Sequence, residues 1–595
     1  MPNIKSYNFW LMAFIVKKII NNGEYYYLNE NKREHETGKV KTKTLAYLGK
    51  NKKEAGKKAQ AIIKEMQKVE KERPAQKMSE TKDEEKKGGM KEDIKAPVGS
   101  KIDEINSISS KRGFFFQTAS IYGGKAGFFT YGHLGKAMKT SWETLWRKNI
   151  LRLDDNFYEV QSNNILPEQV FLASGHIDNF NDPMTECRKC HFRFRADQFL
   201  EDKGVSGAES LSPEQMTKKI EEKKLKCPRC GGELSEVKQF NMMFKVNVGF
   251  ENEPSYLSPE TAQAAYLVFK EEFNATRGKL PLGIGIIDKA YRNEISPRQM
   301  FFRLREFSQA ELQIFFEHEK INEHEKWESV KKEKIYIKFS SSEETKEISC
   351  EELNSKHDFP KFYLYYALQV QKFYLKTLHI PKEKFRLREL GEKERAFYNK
   401  IHLDVEIFLD TLNGFKEVAG VHYRTDHDLL GHQKISGKNL EVFYDGKKIL
   451  PHVLELSFGV DRNIWAILDA FYAVGKEGSM FAFPPELSPL KAAVFPIVKG
   501  DKFERMSEKI ASELREEWNI AYDRSGSIGR RYARNDEIGT PFCVTIDGDS
   551  LKNKDVTIRD RDTKKQIRVK ISELKEILKK LLEGKISFEK AGKLV

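Results

Sequence analysis

Four of the six cysteines fall in two C-x-x-C pairs, Cys187 and Cys190 in CRKC, and Cys227 and Cys230 in CPRC. Each pair can present two thiolates to one tetrahedral zinc ion through a tight turn, and Gly231 and Gly232 permit the positive φ that such turns often use. Four protein thiolates leave no open coordination position, so the spacing predicts structural rather than catalytic zinc. A second chemistry-bearing stretch is residues 291–317, YRNEISPRQMFFRLREFSQAELQIFFE. It reads as a strand, a proline-containing turn and a second strand, with Arg292, Glu294, Arg303 and Glu311 spaced so that several share one face. A face carrying both guanidinium groups and carboxylates is either a solvated edge or a binding surface. A ligand with a phosphate and an amine would match both signs.

More arginines gather near the C-terminus, Arg530, Arg531 and Arg534 in GSIGRRYARNDEIGTPF, and Arg559 and Arg561 in TIRDRDTKKQIRV. They form either a solvated basic face or contacts to RNA backbone and unstacked bases, against which guanidinium planes stack. No Ser-His-Asp or Cys-His constellation stands out.

The elements that position these residues can be read along the chain. With 595 residues there is room for roughly three to four domains. A net charge of +14, with 32% charged residues of both signs, describes basic surfaces and favours nucleic acid as partner. The apolar run over 9–16 is shorter than the ~20 residues of a membrane span, and no small-residue cleavage site follows it, so a cytoplasmic protein is expected, with no membrane partner. Residues 1–73 read as a basic extension, a β hairpin or meander (14–20, 25–28, 42–48) followed by a lysine-rich helix over 51–69. Residues 74–106 read as a flexible linker. The extension is either an accessory RNA-binding arm or a solvated appendage. Helical spacing at 134–150 places Trp142 and Trp146 four apart, before a strand at 157–160 and a stop at Pro167. The stretch between the cysteine pairs reads as a mobile helical excursion. Beyond Pro484-Pro485, strands at 491–498 and 542–546 alternate with helices at 501–518 and 572–583, an α/β pattern.

From about residue 107 onward the motifs resemble the class II aminoacyl-tRNA synthetases. YRNE, PR, FRLREF and the later acid resemble motif 2, PHVLELSF with GVDR at 459–462 resembles motif 3, and the helix, strand and proline at 134–167 resemble motif 1. The RNEISPR wording and SGHIDNFND at 174–182 are similar to the glycyl-tRNA synthetases of the archaeal and eukaryotic dimeric type. The resemblance implies an α+β fold: an antiparallel sheet flanked by helices over 107–484, a zinc-knuckle insertion at 187–230, and a C-terminal α/β anticodon-binding domain over 485–595.

It also implies ATP with Mg2+, its ligands unassigned, glycine and tRNA(Gly) as substrates, and a homodimer joined through motif 1. Arg292 is then the arginine between α-phosphate and substrate carboxylate, a bidentate role that lysine fills poorly. Glu294 fixes the adenine amino group, Arg303 lies near the outer phosphates, Phe307 stacks on adenine and Arg462 grips the nucleotide. Glu260, Glu311, Glu455 and Ser457 match positions that hold glycine, whose pocket must recognise an amine and exclude a methyl. Arg530, Arg531, Arg534, Arg559 and Arg561 match the tRNA-binding part. The family usually has Pro where Leu456 stands and Gly-Trp near 413–415. His427 and His432 read as structural or surface polar residues. The competing expectations are a non-catalytic tRNA-binding paralogue, or a synthetase for another small amino acid.

Overall fold

The computed structural model describes residues 100–595, apart from 296, 298, 299, 393, 396–398, 476 and 477, together with Lys58 and three strands near the N-terminus. Those strands, Ala13–Ile20, Gly23–Arg33 and Val40–Gly49, pair antiparallel in sequence order. The helix expected over 51–69 and the tether over 74–99 lie outside the described residues, Lys58 excepted. The linker expected to reach 106 stops earlier. Ser100 caps helix Lys101–Arg112 by accepting from the Asp103 amide, and Ile105 and Ile108 on that helix are buried.

The larger unit is built on a nine-stranded sheet in the order Thr345–Ser349, Lys334–Lys338, Phe385–Glu389, Ile401–Leu409, Gly414–Thr425, His452–Gly459, Glu306–Phe316, Leu282–Tyr291, Phe157–Glu159. The six strands from Phe385–Glu389 to Leu282–Tyr291 are antiparallel throughout, and the Phe157–Glu159 edge strand joins in parallel. Side-chain alternation sorts the two faces. Along Glu306–Phe316, Ala310, Leu312, Ile314 and Phe316 enter the main core with Trp142 and Trp146 of helix His133–Asn149 and Ile464, Trp465 and Leu468 of helix Val460–Phe471. Leu456 is on this core side and fully buried. On the other face Phe315, Ile284 and Val453 pack under Tyr266 and Phe269 of helix Ala262–Ala275. That apolar patch covers only one end of the face. At the other end the same strands carry Gln309, Glu311, Gln313, Glu455 and Ser457, and the site forms there.

The cysteine-bearing insertion, read as a helical excursion, has a core of its own. Its helices Ala196–Asp202 and Pro213–Glu222 share a small core of Ala196, Leu200, Met216 and Ile220, and the second begins in a reciprocal cap between Ser212 and Gln215.

The C-terminal unit has a six-stranded sheet ordered Ile520–Tyr522, Ala492–Pro496, Phe542–Ile546, Asp555–Asp560, Gln566–Lys570, Lys593–Leu594, parallel in its first three strands and antiparallel after. Helices Asp501–Arg515 and Ile571–Leu582 close its core. It is tied to the nine-stranded sheet's unit where the buried Arg561 donates to the Phe483 carbonyl (2.8 Å), and where Arg112 pairs with Glu537. Elsewhere a cavity of about 840 Å³ separates Thr140 and Thr144 from Arg515 and Trp518.

Candidate active site

Strand register assembles the site. Glu311 lies opposite Ser457, which lies opposite Gly420; Gln313 lies opposite Glu455, which lies opposite His422. Two rows of three thus cross three neighbouring strands on the face that the apolar patch leaves uncovered. All of them but Gln313, which is fully buried behind, line a cleft of about 160 Å³ that also receives Glu260, Arg292, Glu294, Arg303, Phe307 and Arg462. All nine sequence-predicted ATP and glycine residues therefore reach one cleft.

Behind the cleft is Arg424, 1% exposed, which sequence reading did not single out. Its guanidinium donates to both oxygens of Asp428 at 2.9 Å, to Glu455 Oε2 at 2.9 Å and to Glu260 Oε1 at 3.5 Å. Gln263 Nε2 bridges Glu260 (2.8 Å) and Asp428 (3.0 Å), and its Oε1 meets His432 Nε2 at 2.9 Å, which gives His432 a structural role. Gln313 Nε2 donates to Glu455 (2.7 Å) while its Oε1 accepts from Tyr266 (2.9 Å). Every buried polar group here has a partner, as a low-dielectric network requires. The available signal was Arg424 and Asp428 one helical turn apart at a strand-to-helix junction, inside the family-like RTDHDLLGH.

The charges do not balance. Burial would push Glu260 up, but Arg424 and His176 beside it hold its carboxyl well below the usual range. Burial likewise opposes ionisation of Glu455, and Arg424 and His422 lower it. Among the described residues Glu311 has no such cation. Its oxygens accept only from the hydroxyls of Ser457 and Thr261, each at 2.7 Å, and burial together with the charges of Glu455 and Glu260 pushes it up to about 8. No described residue places a positive charge beside Glu311, and a ligand ammonium would supply one.

Arg292 follows the end of strand Leu282–Tyr291. Its Nε donates to the Pro259 carbonyl at 3.1 Å, and its guanidinium lies over Phe180 and Phe307, 5.4 and 5.2 Å from the ring centres. Arg303 reaches Gln198 of the insertion at 3.4 Å. The Glu294 carbonyl accepts from Arg305 at 2.8 and 3.0 Å, which fixes the backbone beside the turn. Arg462, in the first turn of helix Val460–Phe471, meets Glu417 at 3.0 Å on the rim. Its neighbour Asp461 accepts from the Ser308 amide and Tyr131 hydroxyl, both at 2.5 Å, with Lys139 at 3.6 Å, so the GVDR aspartate fastens this helix to the central strand.

At the insertion the four cysteine sulfurs lie within 4.8 Å of one another, with Cys187 to Cys230 at 3.5 Å and Cys190 to Cys227 at 3.7 Å. A tetrahedron with Zn–S bonds of about 2.3 Å has sulfurs about 3.8 Å apart, so the four thiolates fit zinc.

Comparison with known proteins places these features. Residues 244–471 match the tRNA synthetase class II core domain (G, H, P, S and T), and 491–581 match an anticodon binding domain. Residues 15–81 match the IS1634 family transposase N-terminal domain. The glycine-tRNA ligase of Pyrococcus furiosus is 36% identical over 570 residues, covering 81% of this chain and 99% of that protein. Those of Thermococcus kodakarensis and Methanococcus maripaludis are 35% and 34% identical, over 82% and 80% of this chain and 100% and 99% of theirs. The chain belongs to the glycine-tRNA ligase family.

In the anticodon-binding domain of this glycine-tRNA ligase family member, the five arginines divide. Arg531, Arg559 and Arg561 are buried and cannot line an RNA surface. Arg531 Nη2 donates to the Ile497 carbonyl (3.2 Å), Arg559 makes a bidentate pair with Asp536 at 2.9 Å, and Arg561 clasps the Phe483 and Gly539 carbonyls. Arg530 is exposed, and Arg534 is half-exposed beside Asp523. Helix Ile528–Glu537 sends Arg530 and Arg534, one turn apart, to the outside and Arg531 inward.

Proposed function

We propose that this protein attaches glycine to tRNA(Gly) at the expense of ATP, through a glycyl-adenylate. The missing positive charge at Glu311, inside a ring completed by Glu260, Glu455 and Ser457, is the observation that carries the reading. An amino acid's ammonium supplies that charge, and its carboxylate then faces Arg292. In the first step that carboxylate attacks the α-phosphorus of ATP and pyrophosphate leaves in line. Nothing in this reaction needs a protein nucleophile, so catalysis is positioning and neutralisation of anions. Arg292 bridges the two reacting anions, Glu294 and Phe307 hold the adenine, and Arg303 and Arg462 bind the outer phosphates. ATP brings magnesium, whose charge adds to that of the arginines. Glu455 is already engaged by Arg424, Gln313 and His422, which favours an anchoring role over metal binding. Zinc on Cys187, Cys190, Cys227 and Cys230 holds the insertion, whose Gln198 supports Arg303. In the second step the glycyl group passes to the terminal ribose of the tRNA, while Arg530 and Arg534 contact the anticodon arm. We assign the protein to the cytoplasm and to a homodimer joined through 134–167.

The deciding experiment is amino-acid-dependent ATP–pyrophosphate exchange with glycine, alanine and serine, without and then with total tRNA. Exchange with glycine alone is expected. No exchange with any amino acid, alongside firm tRNA binding, would move the assignment to a non-catalytic paralogue; exchange with alanine or serine alone would move it to another small amino acid.

A further inference from the structure

One side chain of the cleft has no role in the scheme above. In the row Glu311, Ser457, Gly420 the strand Gly414–Thr425 contributes no side chain, which leaves a gap beside the hydroxyl and carboxyl groups that would hold the amine. The imidazole of His422, two residues on and on the same face, leans back into that gap. A Cβ on Gly420 would lie 2.2 Å from His422 Nε2 and 2.7 Å from its Cε1, so the ring lies directly over the glycine. Only glycine at 420 lets it do so. Two contacts hold the ring: Nδ1 bonds Glu455 Oε1, and the ring of His402 packs against it at 4.2 Å. His402 is itself fixed by Asp404 at 2.9 Å and Asn399 at 3.2 Å.

We propose that His422 is the specificity-determining residue of the amino acid pocket: its ring fills the space over Gly420 that a substrate side chain would need, while Nδ1 keeps Glu455 in position. The proposal rests on the glycine reading above. Favourable contact distinguishes substrates differing by one methylene by only about 10- to 200-fold. Rejection of alanine, the larger substrate, therefore depends on a wall that does not yield. A ring bonded on one edge and packed on a second ring is such a wall.

The test is pyrophosphate exchange with glycine, alanine and serine for wild type, His422→Ala, His422→Asn and His422→Phe. Removing the ring in H422A should raise kcat/KM for alanine relative to glycine by about tenfold or more. H422N removes the ring but keeps an N–H donor, so it should relax selectivity in the same way while raising the KM for glycine less than H422A does. H422F keeps the bulk without the bond, so it should still reject alanine while its KM for glycine rises. An alanine-to-glycine ratio in H422A and H422N equal to that of wild type overturns the proposal, as does H422F relaxing as far as H422A. Absence of glycine-dependent exchange in the wild type would instead overturn the glycine reading, and this inference with it.

Discussion

Arg424 and Glu455 meet at 2.9 Å behind the cleft, their side chains 2% and 3% exposed, and the same guanidinium also holds Asp428 and Glu260. One cation thus serves three acids, two of which face the substrate. Arg424→Ala would leave Asp428 buried without its guanidinium and Glu260 and Glu455 with only His176 and His422, a change that costs about 3–5 kcal/mol in comparable buried pairs. Urea unfolding should show that loss. Arg424→Lys should recover only part, because a point charge cannot make the forked contact with Asp428 and also reach Glu455. Full stability in R424A would mean that the acids take up protons at no cost.

Glu311, pushed up to about 8, predicts how glycine binding varies with pH. Below that value the empty site holds a proton on Glu311, whereas an ammonium beside it favours the carboxylate, so binding must expel the proton. The KM for glycine should therefore fall as pH rises from 6.5 to 8, by at most about tenfold per unit, and level off above. The stability sign is opposite. Between the ordinary carboxylate range and about 8 the folded state holds more protons than the unfolded one, so this group's contribution declines as pH rises through that window. In Glu311→Gln that decline should vanish, measured as the difference in melting temperature between pH 5 and pH 8. A KM that rises with pH across the window would contradict the assignment.

Arg292→Ala should abolish pyrophosphate exchange and leave tRNA affinity nearly intact, since the guanidinium sits between two aromatic rings inside the cleft rather than on a surface. Weakened tRNA binding with normal activation would be the contrary result.

Cys187→Ser removes one of four sulfurs that converge within 4.8 Å. Zinc content by elemental analysis should drop, and because metal binding is coupled to local folding, a strong chelator should expose the insertion's small core to protease in the wild type as well. Unchanged zinc would rule out the four-thiolate site.

Within the anticodon-binding domain, Arg530→Ala and Arg559→Ala should fail in different ways. The first removes an exposed charge and should lower tRNA affinity and flatten its salt dependence at unchanged stability. The second breaks a buried bidentate pair with Asp536, which keeps Lys564 at 2.8 Å, and should reduce stability by up to about 3 kcal/mol. Measuring both quantities on both variants separates the two outcomes.

Spacing made legible only what sits in one contiguous stretch; Glu260, Glu455, Ser457 and Arg462, far apart in the chain, came from the resemblance. Arg292, Glu294, Arg303 and Glu311 lie within twenty positions of each other, and each C-x-x-C pair is a local turn, so spacing brought them forward, whereas Phe307 came from the resemblance to motif 2. Arg424 and His422 stayed hidden because their roles exist only across strands: His422 meets Glu455 through the register of two strands, and register depends on the whole sheet. Three of the five C-terminal arginines were misread for a related reason. RRYAR places Arg531 between Arg530 and Arg534 on a helix, and only the packing tells which of them turns toward the core. The linker ran too far in the sequence reading because KIDEINSISSKR has few apolar residues, and its two buried isoleucines find their partners in distant segments.

The link through Arg561 has a mechanical consequence. The anticodon-binding domain is fastened along one edge, by Arg561 to Phe483 and by Glu537 to Arg112, while the opposite side faces the void beside Trp518. The two sides are therefore braced unequally, by a buried guanidinium and an ion pair on one and by open space on the other.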